Sequence, residues 1–320
     1  MTSPRIHRAP VIMRSRLILE VASELVGEDD WPEKQVEVHF REQGSPEWKL
    51  RFFASDAPEA VDAVVSGAAD VAICNPGGVL AMAARGMPPF KEPAHLRALM
   101  VLPQFDQLAF AVTSQCGLRS FNDLREQRYP LRVSLRGQPN HSVHLVANQV
   151  FAAYGFTLDD IVSWGGLVRY DEGMPNGPER LGAVMRGELD AVFDEALPTF
   201  GDAAIEFGMR FLPVEEPQLQ QLEAKGLRRV AITPEEYPGL DAPVWTIDFS
   251  GWPVFTREDA PDGMVTSFCA ALEARKDRIP WYGNGPMQLD LMVSDTKEAP
   301  MMIPLHPAAE RYWREHGYLE

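Results

Sequence analysis

The nine residues SLRGQPNHS, 134–142, hold the side chains best suited to gripping a small anion. They join an apolar run, LRVSL (131–135), to an apolar-periodic one, VHLVANQVFAAYG (143–155). That pattern reads as a strand passing through a turn into a helix. The first N–H groups of a helix lack intrahelical partners. With the helix dipole they favour a negative charge by roughly 0.3–1 kcal/mol. Arg136 adds a planar guanidinium that can hold a carboxylate through two parallel hydrogen bonds. Ser134, Asn140, His141 and Ser142 carry further hydrogen-bonding groups, and Gly137 permits close approach to the backbone. The plainer alternative is that Asn140 or Ser142 caps the helix and Arg136 points to solvent.

Other candidates are scattered along the chain. Asn75, with Gly77 and Gly78 in NPGG (75–78), forms a loop after the short apolar run DVAIC (70–74); it meets a ligand or is a plain turn. Glu195, in EALP, contacts a ligand amine or hydroxyl or is a solvated charge. Trp164, Phe249 and Trp252 fall at strand ends. They form an aromatic wall for a planar ligand body or are ordinary core. Arg51 and Arg169 are weaker carboxylate candidates. For catalysis the signals are poor: no G-x-S-x-G, H-E-x-x-H, Walker loop or G-x-G-x-x-G occurs. If the chain is an enzyme, His141 as proton donor and Arg136 as carboxylate anchor are the pair to test. His141 and His144 share a helix face, but no carboxylate pattern beside them supports a metal, so no metal or other cofactor is expected. His306, just before Pro307, reads as structural. Cys74, Cys116 and Cys269 are too far apart for a CxxC site, which argues against a disulfide framework or zinc.

These residues are positioned by a unit that the chain uses twice. AVVSGAADVAICNPGG (63–78) and AVMRGELDAVFDEALP (183–198) keep one beat: a helix end, a Gly, an Asp three residues on, then a short apolar strand. Gly67 matches Gly187, Asp70 matches Asp190, and Ile73 matches Phe193, about 120 residues later. Around them the pattern predicts helices at 14–26, 143–155, 178–186, 217–225, 261–277 and 307–316. A further helix is introduced by SDAPEAVDAVVSG, capped by Ser55 or Asp56 and stopped at Gly67. SFNDLREQRYP reads as a capped helical turn. Strands are expected at 36–40, 70–74, 96–103, 108–114, 131–135, 159–166 and 190–194. WTIDFSGWPVFTRED (245–259) reads as a strand pair or one long crossing strand. Strands alternating with helices argue an α/β architecture with parallel sheets. Two such runs argue two lobes, with NPGG and EALP at the carboxyl ends of their sheets, where open α/β sheets bind ligands.

At 320 residues and 45% hydrophobic, the chain is long enough for two cores. A net charge of −16 without a Lys/Arg run argues against nucleic acid as a partner. No stretch approaches the roughly 18 apolar residues of a membrane span, so direct insertion is not expected. The opening MTSPRIHRAPVIMRSRLILEV is basic but lacks an apolar run of signal-peptide length. The expected location is cytoplasmic as written, or periplasmic where a leader has been removed.

The pieces AVVSGAADVAI, GLRSFNDLREQRYPLRVSL, FAAYGFTLDDI, LGAVMRGELDAVF, RFLPVEEPQLQQLEAKGLRRVAITPEEYPGL and LHPAAERYWREHGY, in this order, resemble the TAXI family of solute-binding proteins that serve TRAP transporters. The resemblance implies a two-lobed type II periplasmic-binding-protein-like fold with a ligand cleft and a hinge of two crossing strands, near 108–115 and 247–256. It divides the chain into 1–108 (lobe I), 109–248 (lobe II) and 249–320 (return to lobe I). Together with the Arg136 reading it makes the expected ligand a small carboxylate, an aromatic one among the candidates, and the expected partners membrane transporter subunits. Two features depart from the family: RIHRAPVIMRSR has no glycine-rich turn, and LRGQPNHS is bulkier than its usual small-residue helix entry. SWGGLVRYDEG also faintly resembles the dihydroxyphthalate decarboxylase group, which implies the alternative of a decarboxylase or related lyase on the same scaffold.

Overall fold

Asp70 and Asp190, the matched acids of the repeated unit, each clasp an arginine on the neighbouring parallel strand. The computed structural model describes residues 17–19, 21–23, 36–41, 49–55 and 57–320. In it Asp70 accepts from the backbone N (2.8 Å), Nε (3.1 Å) and Nη2 (3.0 Å) of Arg51. Asp190 accepts from the same three groups of Arg132 at 3.0, 3.0 and 2.7 Å. The backbone exchange is completed by Asp70 N to Arg51 O (2.9 Å) and Asp190 N to Arg132 O (2.7 Å). Gly67 and Gly187 end the preceding helices at φ +74° and +75°, a conformation glycine adopts at little cost. The repeat is therefore a recurring piece of β-α-β structure with one ion pair pinning its register.

The chain divides into two compact units, Met1–Lys34 and Gln35–Glu320. In the first, residues 17–19 and 21–23 are helical; the rest of the expected 14–26 helix lies outside the described residues, as does Asp56. The second unit contains strands β1 (Val36–Arg41), β2 (Lys49–Ala54), β3 (Val71–Ile73), β4 (Leu96–Leu102), β5 (Ala109–Thr113), β6 (Arg132–Arg136), β7 (Leu167–Asp171), β8 (Ala191–Asp194), β9 (Met209–Phe211), β10 (Arg229–Ile232), β11 (Val244–Ile247) and β12 (Trp252–Arg257). One five-stranded sheet runs β1-β2-β3-β12-β4 and the other β7-β6-β8-β5-β9; β10 and β11 form a separate ribbon. Each large sheet has its own apolar core. The first centres on Leu99, Met100 and Trp313, the second on Phe110, Phe121, Phe151 and Phe193. This is the two-lobed α/β architecture that the alternation of strands and helices implies.

Two short segments make the crossing: 103–108 joins β4 to β5 of the second sheet, and 248–251 joins β11 of the ribbon to β12 of the first. They are laced by Leu108 N to Ile247 O (3.0 Å), Phe249 N to Asp106 O (3.0 Å) and Gly251 N to Gln104 O (2.9 Å). The crossings are thus narrower than the strands expected near 108–115 and 247–256, because β5 and β12 each lie wholly within one sheet. The 245–259 run accordingly splits into β11 and β12. The first crossing joins the carboxyl end of β4 to β5 beside the carboxyl end of β8, and the second joins β11 of the ribbon to β12 beside the carboxyl end of β3.

Some local expectations are overturned. Residues 159–166 were expected as a strand; Leu158–Ser163 is a helix, because Thr157 and Asp160 form a reciprocal capping box that the apolar run conceals. NPGG is no loop, since Gly77 and Gly78 open the helix Gly77–Ala84. A Cβ on Gly77 would lie 2.9 Å from Met302 Cγ, and one on Gly78 3.0 Å from Leu227 Cδ2, so these glycines serve packing. Ser55 does not cap the helix Glu59–Val65, whose N-cap is Pro58; its Oγ accepts from Ala57 N at 3.1 Å instead. The helix Leu289–Val293 was not anticipated. His306 has the structural place its sequence position implied: its Nδ1 accepts from Ala308 N (3.2 Å) to cap the helix Pro307–Glu315.

Asp190→Ala and Asp70→Ala each strand a backbone N–H and a guanidinium. Each is expected to cost roughly 1–3 kcal/mol in urea unfolding; an unchanged midpoint would show that the repeated ion pair does not pin the strands. Burial lowers the His306 pKa. Below about pH 6.5 the unfolded chain therefore takes up a proton that the folded chain resists. That contribution to stability is complete above about pH 6.5 and drains as pH falls towards the folded value. Asn also caps helices, so His306→Asn should flatten the acid side of the stability profile, measured as midpoints at pH 7 and pH 5.

Candidate functional site

The arginine–aspartate pairing that opens β6 and β8 recurs four residues further on, where the strands end. Arg136 Nε and Nη2 lie 3.2 and 2.8 Å from Asp194 Oδ1. In lobe I the corresponding positions are Ser55 and Cys74, so the second arginine–aspartate pair is a feature of lobe II. Arg136 is 2% exposed and Asp194 fully buried. The other Asp194 oxygen contacts Arg180 Nη1. Arg180 Nε donates to Ser134 Oγ (3.1 Å), which itself donates to Asp171 (2.7 Å). Burial by itself would push the Asp194 carboxyl up, but Arg136 and Arg180 hold it below the ordinary carboxylate range. The result is an ionised carboxylate between two guanidinium groups at the carboxyl ends of β6, β7 and β8.

Arg136 has a second acidic partner. Its Nη2 also touches Glu195, which follows β8 and is 8% exposed. Glu195 in turn faces Asp106 of the first crossing segment, whose carboxyl is bonded to the backbone of the two residues after Glu195. Two buried carboxyl groups side by side are tolerated only if one holds a proton. Burial and the Glu195 charge push Asp106 well above the usual range, against the pull of its backbone donors. Those donors are Gln107 N (2.8 Å), Ala196 N (3.0 Å) and Leu197 N (3.1 Å). Asp106 thereby caps the helix Leu197–Glu206. Ala196 reaches it through a left-handed φ of 60°, which costs a non-glycine residue roughly 1–2 kcal/mol. Ser250 Oγ, on the second crossing segment, accepts from Asp106 N (3.0 Å) and donates to Asp106 O (3.1 Å).

The expected site residues separate into groups. Ser134, Arg136, His141 and Glu195 converge. His141 Nε2 lies 3.8 Å from Glu195, and His141 Nδ1 accepts from Val143 N (3.1 Å), making it the N-cap of the helix Ser142–Ala153. Burial, then the Arg136 charge, hold its pKa well below the ordinary value, so the ring is neutral. The cap is thus neither Asn140, which is exposed, nor Ser142, which is buried. Gly137 is pressed against the backbone after β7; a Cβ there would lie 2.9 Å from the Asp171 carbonyl carbon. Asn75 sits across the hinge and braces it, donating to Phe249 O (2.9 Å) and Gly251 O (2.8 Å). Trp252 Nε1 donates to Gln104 on the other crossing. Phe249 is buried in the lobe II core. Trp164 precedes β7, at the opposite edge from the carboxyl ends, and packs on Phe156 with centroids 5.8 Å apart. Arg51 and Arg169 are occupied by Asp70 and Asp171.

The sequence reading missed Asp106, Arg180 and Asp194. Asp106 had no recognisable pattern, but Arg136/Asp194 repeats the spacing of Arg132/Asp190 and was open to discovery. Tyr282, on the C-terminal part of the chain, lies close enough to Glu195 and Asp106 for their charge to act on its phenol. Among the described residues no group of three potential metal ligands gathers, and no helix is long and apolar enough to cross a membrane.

Residues 53–317 match the model of the NMT1-like family, and the chain belongs to that family. Among solved structures it is similar to the alkanesulfonate-binding protein SsuA from Xanthomonas axonopodis pv. citri bound to MOPS, at 17% identity and a TM-score of 0.31. That match covers 68% of this chain and 61% of the other, so the chain spans less than two thirds of that protein's length. A Xanthomonas citri protein bound to ATP is similar at 13% identity over 82% of this chain and 84% of that one, with a TM-score of 0.40. A TctC solute binding protein from Polaromonas is similar at 14% identity over 67% of each chain, with a TM-score of 0.33. Superpositions this distant carry no inference about ligand or mechanism.

Arg136→Ala leaves Glu195 and half of Asp194 without a counter-charge. It is expected to destabilise by about 3 kcal/mol or more at pH 7. The deficit should narrow at pH 5, because stranded carboxylates escape the penalty by taking up protons. Denaturant titrations at the two pH values test this; equal deficits would mean that the pair is not charged in the folded protein.

Proposed function

We propose that this member of the NMT1-like family is a solute-binding protein whose lobes close by hinge motion on a small carboxylate-bearing ligand, with Arg136 as its anchor. The observation that carries this reading is the placement of the Arg136 guanidinium. It lies at the carboxyl edge of the lobe II sheet, bound on one side to the buried Asp194 and on the other to Glu195 beside the first crossing segment. Asp194 fixes the guanidinium plane, and a ligand carboxylate takes the place of Glu195 with the geometry Arg favours. His141, 3.8 Å from Glu195, borders that position, and in this reading Ser134 supports it through Arg180, Asn75 and Trp252 brace the hinge, and aromatic side chains such as Tyr282 cover the ligand body. The finer assignment, to a TAXI-type protein delivering its ligand to TRAP transporter subunits in the membrane, rests on the residues that resemble that family.

The test is native mass spectrometry of the protein with a panel of aliphatic and aromatic carboxylates. A retained acid of unchanged mass, whose affinity drops about tenfold or more in Arg136→Lys, supports the reading, since Lys keeps the charge but loses the paired hydrogen bonds. A product lighter by one carbon dioxide would replace it with a lyase. Binding that ignores the Lys substitution would move the anchor elsewhere.

A further inference from the structure

Glu195 stands between two groups of opposite effect in the buried network. On one side it touches the Arg136 guanidinium, and on the other it faces Asp106, whose carboxyl accepts from the N–H groups of the next two residues, Ala196 and Leu197. A carboxylate arriving at Arg136 must displace Glu195. The displaced group stays beside Asp106, a second carboxyl, because Asp106 is bonded to the backbone of the two residues that follow Glu195. Without its cation, and against another acid at low exposure, Glu195 is stable only if it is neutral. We propose that carboxylate binding at Arg136 is coupled to uptake of a proton by the Asp106–Glu195 pair, so that the ligand enters as the equivalent of its neutral acid. The inference rests on the carboxylate reading above and adds its proton linkage and two residues that set it.

The charges balance in this exchange. Before binding, Arg136 and Arg180 offset Asp194 and Glu195, and Asp106 holds the shared proton. After binding, the ligand carboxylate takes the Glu195 charge at Arg136, and one proton from solvent neutralises Glu195. No net charge is added to the buried site, whereas binding without the proton would bury an unpaired anion. The groups facing the pair do not supply that proton. His141, 3.8 Å from Glu195, is neutral and its Nδ1 is held as a helix cap. Asp194 lies between two guanidinium groups. From the crossings, Gln104 Nε2 (3.4 Å) and Ser250 meet Asp106 as neutral partners. Tyr237 and Tyr282 approach the pair as phenols, each pushed up rather than down and so protonated at neutral pH.

The device also joins the site to the hinge. Asp106 belongs to the crossing segment and caps the lobe II helix through Ala196 and Leu197. On ligand binding Glu195 thus loses its contact within lobe II and keeps the one with the segment about which the lobes turn.

The experiment is isothermal titration of the full chain with benzoate and with succinate at pH 5.5, 6.5 and 7.5, in buffers of different ionisation enthalpy. The expected result is net proton uptake, approaching one per carboxylate bound, with affinity falling by up to about tenfold per pH unit. Glu195→Gln cannot take up the proton; it should abolish both uptake and slope while binding several-fold tighter at pH 7.5, because the competing ion pair is gone. Asp106→Asn keeps an acceptor for the helix N–H groups and should weaken the slope, which guards against a fold defect in the first variant. Binding with no proton exchange overturns the inference and leaves the carboxylate reading standing. Proton release would overturn it in favour of a cationic ligand that expels the shared proton. A slope that persists in Glu195→Gln would place the proton on another group, and the inference would fall. If neither these acids nor the wider panel binds, the carboxylate reading falls first and this inference with it.

Discussion

A fully buried carboxylate, Asp194, stands between two buried guanidinium groups, and the rest of the site is arranged around that fact. Removing an ion from water costs several kcal/mol even after relaxation, so each of these groups is tolerable only while the others hold their positions. That requirement orients Arg136 without help from any ligand. It also fixes the carboxyl ends of β6 and β8 against each other, as Arg132 and Asp190 fix their beginnings. The stretches 132–136 and 190–194 are thus held in register at both ends. Ser134, by accepting from Arg180 and donating to Asp171, extends the same constraint to β7.

The hinge is tied to this network rather than independent of it. Asp106 uses its side chain to cap the helix Leu197–Glu206 and its backbone to bind Ser250, so one residue of the first crossing joins the second crossing and the lobe II helix. The left-handed Ala196 is what turns two N–H groups towards that carboxyl, and its conformational cost is held by the bonds it makes possible. A rotation of the lobes cannot leave the Glu195 environment untouched, because Asp106 moves with the crossing and Glu195 with the sheet.

The architecture was legible because periodicity and capping act locally. The repeated helix–Gly–Asp–strand beat marked both β-α-β steps, and the ion pairs of Asp70 and Asp190 explain why that beat is the part that recurs. Where local signals conflicted, the weaker was hidden. The Thr157 and Asp160 capping box won over an apolar run that read as a strand, and the NPGG glycines served helix packing against Met302 and Leu227 rather than a loop. Arg136 was visible from its place between a strand and a helix, but its occupancy was not. Asp194 and Arg180 lie 58 and 44 residues downstream, and only the parallel pairing of β6 with β8 and the turn after β7 bring them to it. Asp106 was invisible for the same reason: a single acid in a short linker acquires meaning only when the second crossing and the helix after β8 close around it.

The repeated unit also shows where the two lobes differ. Both lobes keep the arginine–aspartate clasp at the amino ends of their paired strands, where it serves the fold. At the carboxyl ends only lobe II repeats it; lobe I has Ser55 and Cys74, followed by Asn75 where lobe II has Glu195. Asn75 spends both observed hydrogen bonds on the backbone of the second crossing, so its lobe contributes shape and hinge support. A second buried clasp in lobe I would have to be neutralised again, at the desolvation cost of another set of buried ions. In lobe II that cost is met once, and Glu195 is the member of the set with the least buried position.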